Sequence, residues 1–429
     1  MQTLKSGTEV SVLESITAQV EATVKTILSD VRREGDAAVR RYSESFDRYN
    51  PGTFRLSQTE IDAAIASLTP DELGALSFSL EQITRFAKAQ RASMSDLEIE
   101  TIPGVTLGHK NIPIEAVGCY APGGRYPMVA SPFMSVATAK AAGVRRVVAC
   151  TPPRNGRPHP ATVATMALAG ADEILVLGGV QALAAMAYGT EDLAPVDFLV
   201  GPGNAYVAEA KRQLFGTVGI DLLAGPTEIL VVADDSADVE MVATDLLGQA
   251  EHGPTSVAVF LTSSERLANS LQAEIDRQLE TLPTADVAGV AWRDCGQIHL
   301  VGTREELVTE IDRIASEHVE ILTRDPDYFL EHLTNYGSLF LGPETNVAYG
   351  DKTIGTNHIL PTNRAARYTG GLWAGKFLKT VTYQRCTPEA SVVIGENVMK
   401  VCDIEGFAAH REQAALRVRR YGDRVPVGK

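Results

Sequence analysis

The sequence predicts an α/β protein with two doubly wound parallel sheets, and two observations predict this fold class. Short apolar runs that end in Gly or Pro alternate with Ala-rich helical stretches, as in RRVVACTPP, EILVLGG and DFLVGPGN. A second series of the same kind follows, with EILVVAD, VAVFLTS and GQIHLVG. Because strands that alternate with helices pair in parallel, each series is expected to form one Rossmann-like domain.

The segments on either side of these two series are predicted to be helical. From about residue 15 to residue 100, apolar positions recur at intervals of three and four, and Ser57 and Glu60 have the spacing of a capping box. Beyond about residue 375, NVMKVCDIEGFAAHREQAALRVRRYG indicates one or two more helices. We therefore expect a helical N-terminal layer and a helical C-terminal tail.

The composition is that of a folded globular protein, and it limits the partners. The 429 residues are 45% hydrophobic and 22% charged, which is enough for two or three domains with large cores. The formal net charge of -15 argues against nucleic acid or an anionic membrane surface, because both require clustered Lys and Arg. An anionic substrate would therefore be bound by local cations.

The termini and the cysteines indicate a reducing compartment. The N-terminal stretch lacks a basic segment followed by an apolar one, and no apolar run approaches the ~20 residues of a membrane span, so we expect a cytoplasmic protein. The five cysteines are odd in number and show no CxxC spacing, which favours free thiols over a disulfide framework or a thiolate zinc site. They are Cys119, Cys150, Cys295, Cys386 and Cys402.

Three glycine-rich turns follow predicted strands in the first series. In FLVGPGNAYVAEAK, a strand leads through Gly201 to Asn204 into a helix, whose N-terminus can face a phosphate. The full GxGxxG fingerprint is missing, so a tight β–α turn without a ligand is the alternative. The turns in YAPGG, which begins at Tyr120, and LGGVQALA, which contains Gln181, make a cleft at the strand ends the stronger expectation.

Two polar constellations in the second series indicate metal binding and proton transfer. In GQAEHGPTS, Gln249 and His252 lie one helical turn apart and offer an amide oxygen and an imidazole nitrogen, a set suited to zinc. A helix end with a dipole-favoured His is the alternative. In SEHVEIL, Glu317 and His318 offer two proton acceptors or form a surface pair. The predicted loop YGDKTIGTNHILPTN supplies Asp351 and His358.

Taken together, six motifs resemble the histidinol dehydrogenase family. They are DLLAGPTEILVVAD, DLLGQAEHGPTS, SEHVEIL, GTNHILPT, GPGNAYVAEAK and EGFAAH, and the resemblance extends from about residue 20 to 420. The family consists of zinc enzymes that oxidise an amino alcohol to an amino acid in two NAD-dependent steps. The resemblance therefore implies Zn²⁺ and NAD as cofactors.

The resemblance also implies the roles of individual residues. The implied zinc ligands are Gln249, His252, Asp351 and His410. Glu317 and His318 are implied to transfer protons, and Tyr120, Gln181 and Asn204 to contact NAD. Substrate would be bound by Thr227, His358 and Glu405, together with His318 and the four zinc ligands.

A domain-swapped homodimer with a shared active site is implied as well. Residues 1–115 would pack with 228–370 as one α/β domain, and residues 116–227 would form the Rossmann-like cofactor domain. Residues 371–429 would form a connecting segment and a tail that carries His410 into the active site of the partner.

Departures from the family pattern concern the substrate pocket. The loop PGGRYPMVASPFMS introduces Arg125, and AARYTGGLWAGKFLKTVTYQR replaces the usual sequence after LPTN. These changes are similar to the branch of the family that oxidises sulfonated diols. Because Arg suits oxyanion geometry, the candidate sulfonate partners are Arg125, Arg364, Arg367 and Lys376, with solvated surface charges as the alternative.

The predicted function is a zinc-dependent, NAD-linked dehydrogenase that converts a primary alcohol through an aldehyde to a carboxylate. A small anionic diol such as 2,3-dihydroxypropane-1-sulfonate, giving sulfolactate, is the expected substrate. L-Histidinol is the alternative because Glu405 is retained. A thiohemiacetal mechanism through Cys119 or Cys150 is a competing hypothesis for the chemistry, and a noncatalytic, metal-stabilised binding protein is a competing hypothesis from another class.

Overall fold

A computed structural model describes residues 1–8, 18–123 and 126–424, so Arg125 lies outside the described residues. The N-terminal part contains one strand and four helices. These are β1 (Gln2–Lys5), α1 (Ala18–Glu34), α2 (Asp36–Asp47), α3 (Gln58–Ala66) and α4 (Pro70–Ala92). The predicted capping box is confirmed at the start of α3, because the Ser57 side chain accepts from Glu60 N–H and Ser57 N–H donates to the Glu60 carboxylate. Two antiparallel strands follow, β2 (Leu97–Ile102) and β3 (Val105–Pro113).

The first predicted series forms a five-stranded parallel sheet in the order β6-β5-β4-β7-β8. Its strands are β4 (Ala116–Tyr120), β5 (Arg146–Thr151), β6 (Glu173–Val176), β7 (Phe198–Val200) and β8 (Gly219–Ile220). Its helices are α5 (Thr138–Ala142), which continues a π-helical turn at Phe133–Ala137, α6 (Pro160–Leu168), α7 (Gly179–Tyr188) and α8 (Ala205–Leu214). The strand order reverses between β4 and β7, as in doubly wound folds.

The second series forms a six-stranded sheet in the order β1-β11-β10-β9-β12-β13. Its further strands are β9 (Glu228–Ala233), β10 (Val257–Thr262), β11 (Gln297–Leu300), β12 (His318–Leu322) and β13 (Ser338–Leu341). Its helices are α9 (Val239–Ala250), α10 (Glu265–Leu279), α11 (Ala285–Cys295), α12 (Arg304–Ile314), α13 (Pro326–His332) and α14 (Val347–Lys352). Strands β9 to β13 are parallel, and β1 joins the edge in antiparallel orientation, so the parallel-sheet prediction is confirmed.

Helix α1 packs differently from the predicted division of the chain. Its apolar face, which includes Val24, Ile27 and Val31, is buried in one core with α7, α8 and the strands of the first sheet. Two other N-terminal elements contact the second sheet and its helices. Strand β1 joins the second sheet, and Ser79 of α4 contacts Thr353, next to α14, at 2.8 Å. The sequence of α1 predicts an apolar stripe on the helix but not the sheet against which it packs. The stripe packs on the first sheet because α7 offers a complementary Ala-rich surface there.

A second compact unit consists of residues 92–113 and the chain from Leu378 onward. Strand β14 (Leu378–Cys386) pairs with β3, and α15 (Pro388–Glu405) packs against α16 (Ala408–Tyr421) after a left-handed Gly406. The two helices agree with the predicted helical tail, and β14 is an addition to it. This unit exposes many apolar side chains, and within the described residues no helix is long and apolar enough to cross a membrane.

Candidate active site

Three residues expected to contact a cofactor line one cavity at the carboxyl edge of the first sheet. Tyr120 ends β4, Gln181 lies in the first turn of α7, and Asn204 caps the N-terminus of α8. The cavity has a volume of about 440 Å³ and is also lined by Phe46 and Asp47 of α2. Ligands of doubly wound sheets bind at this position. The connections after the two neighbouring strands run in opposite directions there and leave a crevice between them.

Hydrogen bonds prepare this first cavity for a polar ligand. The Tyr120 hydroxyl accepts from Gly179 N–H at 3.3 Å, and burial raises the pKa of Tyr120. Gln181 Nε2 donates to Asp47 at 3.2 Å, whereas the buried Gln181 Oε1 has no hydrogen-bond partner within the described chain. The Asn204 amide oxygen accepts from two backbone N–H groups of α8, at 3.1 and 3.2 Å. Gln181 Oε1 is therefore available to a ligand donor.

A buried ion pair holds the loop that leads to Asn204. Lys211 on α8 pairs with Asp221, and both side chains are almost completely buried. Lys211 Nζ donates to the Gly201 carbonyl at 3.0 Å, while Gly201 N–H donates to Asp221 at 2.9 Å. Gly201 has a φ of 130°, and a Cβ there would lie 2.1 Å from the Tyr120 carbonyl oxygen. The loop conformation therefore requires glycine at position 201, and the ion pair stabilises it.

Five further candidate residues meet at the amino edge of the second sheet. Thr227 directly precedes β9, and Glu317 and His318 stand at the start of the neighbouring strand β12. Helix α9 follows β9 and runs back across the sheet, so its last turn brings Gln249 to the same edge. Asp351 reaches the site from α14, and the side chains of Gln249, Glu317, His318 and Asp351 are buried.

Glu317 is held by donors from β9. One oxygen of Glu317 accepts from the Thr227 hydroxyl at 2.6 Å and from Glu228 N–H at 3.0 Å. The Gln249 amide nitrogen donates to the same Thr227 hydroxyl. Burial raises the pKa of Glu317, while His318 and the Thr227 hydrogen bond oppose this rise. Glu317 is thus fixed in position with a proton affinity above that of an ordinary carboxylate.

His318 has one ring nitrogen engaged and the other available. Nδ1 lies 2.8 Å from the Glu228 carbonyl oxygen, which accepts its proton and leaves Nε2 as the acceptor. Nε2 is buried without a hydrogen-bond partner among the described residues, 3.6 Å from Asp351. Burial lowers the pKa of His318, but Glu317 and Asp351 outweigh it and raise the pKa to about 9. His318 is therefore oriented with Nε2 facing Asp351. Because this pKa favours the protonated ring at neutral pH, Nε2 accepts a proton from a substrate only after it has lost its own.

The expected metal ligands Gln249, His252 and Asp351 line a second cavity, of about 390 Å³. Because Gln249 donates through its amide nitrogen, its Oε1 remains as a ligand atom. Among the described residues, no group of three or more His, Cys, Asp or Glu side chains is close enough to bind a metal. The donors present, an amide, an imidazole and a carboxylate, fit a catalytic divalent site that takes a further ligand from elsewhere. Glu251, which also lines this cavity, accepts a hydrogen bond from the Thr284 hydroxyl at 2.9 Å.

The model of the family described as histidinol dehydrogenase matches residues 12–418. The chain belongs to the histidinol dehydrogenase family. A histidinol dehydrogenase homolog of Shouchella clausii is 62% identical over 98% of this chain and 99% of that protein. The sulfopropanediol 3-dehydrogenase of Ruegeria pomeroyi is 45% identical over 95% of this chain and 94% of its own. The crystal structure of histidinol dehydrogenase from Elizabethkingia anophelis has a TM-score of 0.91 at 32% identity and covers 97% of this chain and 95% of that one.

His358 of this histidinol dehydrogenase family member is a half-buried support of Asp351. Its Nδ1 lies 2.9 Å from the Asp351 carbonyl oxygen, and Nε2 lies 3.2 Å from the Ser131 hydroxyl. Burial lowers the pKa of His358, against the opposing charge of Asp351. Both ring nitrogens therefore have protein partners, and His358 positions the end of α14, which carries Asp351.

The thiohemiacetal hypothesis is wrong for this member of the family. Cys119 lies within β4 and Cys150 within β5, and both are fully buried. Burial raises the pKa of Cys119 to about 12 and raises that of Cys150 as well. A nucleophilic thiolate requires access and a lowered pKa, and neither cysteine has them.

The other predicted residues are two in the second compact unit and three cations in the segment that precedes β14. Glu405 ends α15 and His410 lies on α16, so both belong to the second compact unit, where they are exposed and His410 contacts the Phe407 ring. The side chains of the predicted cations Arg364, Arg367 and Lys376 donate to Arg313 O, Arg364 O and the Thr369 hydroxyl, respectively. None of these three cations is among the described residues that line either cavity.

Sequence reasoning missed two features next to the site. Lys352 follows Asp351 and lines the cavity that contains Gln249 and His252. Glu320, on the same face of β12 as His318, is fully buried beside Asp245 of α9. Burial and the charge of Asp245 raise the pKa of Glu320 well above its ordinary value. The signal in the sequence is the spacing of two between His318 and Glu320, because residues two apart on a strand lie on the same face.

Proposed function

We propose that this chain is a metal-dependent, NAD-linked dehydrogenase that oxidises a primary alcohol through an aldehyde to a carboxylate. The observation that carries the proposal is the buried Nε2 of His318, which has no hydrogen-bond partner within the described structure, while the Glu228 carbonyl orients the ring. A general base must reach the proton that it removes, and it must be held in one tautomer. The same side chain adjoins Glu317 and Asp351, so a base, a second proton carrier and a metal ligand stand together.

Each implied cofactor has residues that fit it. Gln249, His252 and Asp351 would bind the metal, with one more ligand from His410 of the partner subunit. The cavity that contains Gln181 and Asn204 would bind NAD. When bound, Zn²⁺ polarises the substrate oxygen and NAD accepts a hydride in each of the two oxidations.

The residues of the chain divide the proton transfers between them. His318 Nε2 accepts the hydroxyl proton of the alcohol, because its other nitrogen is fixed as a donor to Glu228 O. Glu317, whose pKa is raised, accepts a proton from the water that attacks the aldehyde. Thr227 connects Glu317 to Gln249 and so fixes the distance between the base and the metal ligand.

A shared active site between two subunits is part of the proposal. Glu405 and His410 stand exposed on the second compact unit, near apolar side chains that are also exposed, including Val401, Ile404 and Phe407. Contiguous exposed apolar surface of this kind is typical of a subunit interface. A tail that docks on a neighbouring subunit would bury this surface and deliver His410 as a ligand.

A small anionic diol is the substrate that we propose. The Ruegeria pomeroyi relative is a sulfopropanediol 3-dehydrogenase, and this chain aligns with it over almost its whole length. L-Histidinol is the competing substrate, because Glu405 is retained and the solved relative is a histidinol dehydrogenase. A sulfonate and an imidazole differ in charge, so one substrate panel separates the two.

The test is NADH formation with 2,3-dihydroxypropane-1-sulfonate and with L-histidinol, before and after removal of metal by a chelator. We expect oxidation of the sulfonated diol, two NADH for each alcohol consumed, loss of activity without metal and recovery with Zn²⁺. Efficient oxidation of L-histidinol alone would overturn the substrate. Full activity in metal-free protein would overturn the metal-dependent reaction.

The shared site is tested by mixing inactive variants. His318→Ala and His410→Ala homodimers are each expected to be inactive, whereas a mixed dimer contains one complete site and recovers part of the activity. A fluorescence signal for subunit exchange provides the control. Exchange without recovery would show that His410 does not serve the partner.

A further inference from the structure

We propose that Lys352 binds the anionic group of the substrate, an inference that rests on the proposed function and names its specificity-determining residue. Lys352 is the last residue of α14 and directly follows Asp351, one of the three expected metal ligands in this unit. It lines the same cavity as Gln249, His252 and Asp351. An anion bound to Lys352 would therefore lie in the cavity that contains the reacting alcohol.

The other charged groups of this cavity are already engaged. Lys352 is the single Lys or Arg among the described residues that line it. Glu251 accepts a hydrogen bond from Thr284, and Asp351 faces His318. Asp245 lies beside Glu320 and accepts a hydrogen bond from the Asn346 side chain at 3.3 Å.

Lys352 itself is available for a ligand. Its Nζ lies 3.7 Å from Asp351 Oδ2, beyond hydrogen-bond distance, and half of the side chain (53%) is exposed. A metal bound by Asp351 would reduce the attraction of this carboxylate for the ammonium. An ammonium on a flexible four-carbon stem has three donors and adapts to the oxygens of a sulfonate, carboxylate or phosphate.

The geometry of the two neighbouring cavities gives the substrate a direction. His252 lines both the Lys352 cavity and an adjoining cavity, which includes Asn204 and Thr227. The cavity that includes Asn204, an expected NAD contact, therefore lies on one side of His252, and Lys352 lies on the other. A short alcohol whose hydroxyl carbon lies near His252 extends its anionic end toward Lys352.

The experiment compares Lys352→Ala and Lys352→Arg with wild type, and uses Lys88→Ala, an exposed lysine on α4, as the matched control. Catalytic efficiency is measured for 2,3-dihydroxypropane-1-sulfonate, glycerate, glycerol 3-phosphate and uncharged 1,2-propanediol. Metal content is measured for every variant, because Lys352 adjoins Asp351. Calorimetric titration with the sulfonated diol measures binding independently of turnover.

We expect Lys352→Ala to lower the preference for the sulfonated over the uncharged diol by roughly tenfold to hundredfold, the value of a charge-assisted hydrogen bond. The loss should occur in KM and in the titration, and Lys352→Arg should restore most of it. The ranking of the three anions identifies the group that Lys352 prefers.

Two results would overturn the inference while the proposed function stands. An unchanged preference in Lys352→Ala would show that another group binds the anion. Equal losses on charged and uncharged diols, with metal retained, would show a structural effect. If wild type neither oxidises nor binds any anionic alcohol, the proposed substrate and the inference both fail, and the titration of wild type alone reveals this.

Discussion

Replacement of Lys211 by Met should destabilise the first sheet and weaken cofactor binding. The substitution keeps most of the side-chain volume but leaves the Asp221 carboxylate fully buried without its ion pair. It also removes the donor to the Gly201 carbonyl. Breaking a buried pair on one side costs about 3–5 kcal/mol, so we expect a loss of free energy of unfolding in this range.

The double variant Lys211→Met/Asp221→Leu is the informative control. Replacing both partners removes the uncompensated charge, and such replacements are often neutral, so we expect the double variant to regain most of the loss. Gly201 N–H loses its acceptor in the double variant, which leaves a deficit of about 1–3 kcal/mol. Because the loop ends at Asn204, the deficit should also raise the dissociation constant for NAD.

The measurement is a double-mutant cycle by denaturant unfolding, with NAD titrations for each protein. The losses of free energy of unfolding in Lys211→Met and Asp221→Leu, added together, should exceed the loss in the double variant. A strictly additive cycle would refute the reasoning, because it would show that the two charges do not stabilise one another. A single variant that loses less than about 1 kcal/mol would refute it as well, since a buried unpaired charge cannot cost so little.

Two further predictions concern buried carboxyl groups. Glu317→Gln should slow acid formation from supplied aldehyde by about 10²–10⁴-fold, and alcohol oxidation much less; equal losses in the two NADH assays would remove the separate role of Glu317. The pKa of Glu320 is raised in the folded state, so its contribution to stability is present in acid and lost as the pH rises through the folded pKa. As the pH rises from 5 to 9, the free energy of unfolding of Glu320→Gln should therefore fall less than that of wild type. Parallel pH profiles for the two proteins would contradict this.

The sequence predicted both parallel sheets because their strands are short apolar runs that are buried on both faces. It did not predict β2, in which all six residues are exposed, or β14, which is also mostly exposed, because neither has a buried apolar pattern. These strands are held by their pairing with β3. The spacing of apolar residues shows which side of a segment is buried. It therefore does not predict strands that are held chiefly by backbone pairing.

The candidate site was predictable at the level of motifs and less so at the level of contacts. Gln249, Glu317, His318 and Asp351 were identified from their local patterns, and the structure brings them together. The support that fixes them comes from distant parts of the chain. Ser131 contacts His358 across 227 positions, and the Glu228 carbonyl orients His318 across 90. Such contacts depend on the tertiary fold, so a local pattern does not contain them.

The second sheet has its candidate catalytic residues at the amino edge, which leaves the carboxyl edge unused by chemistry. That edge consists of short turns closed by local hydrogen bonds, such as those that the Asp234 carboxylate accepts from Ser236 N–H and Arg324 N–H. Strand β12, with five residues, separates the two edges by roughly 16 Å. The exposed turns at Gly302 and Asp325 are therefore suitable places to attach a fluorophore or an affinity tag, or to insert a reporter domain, without touching the path of the substrate.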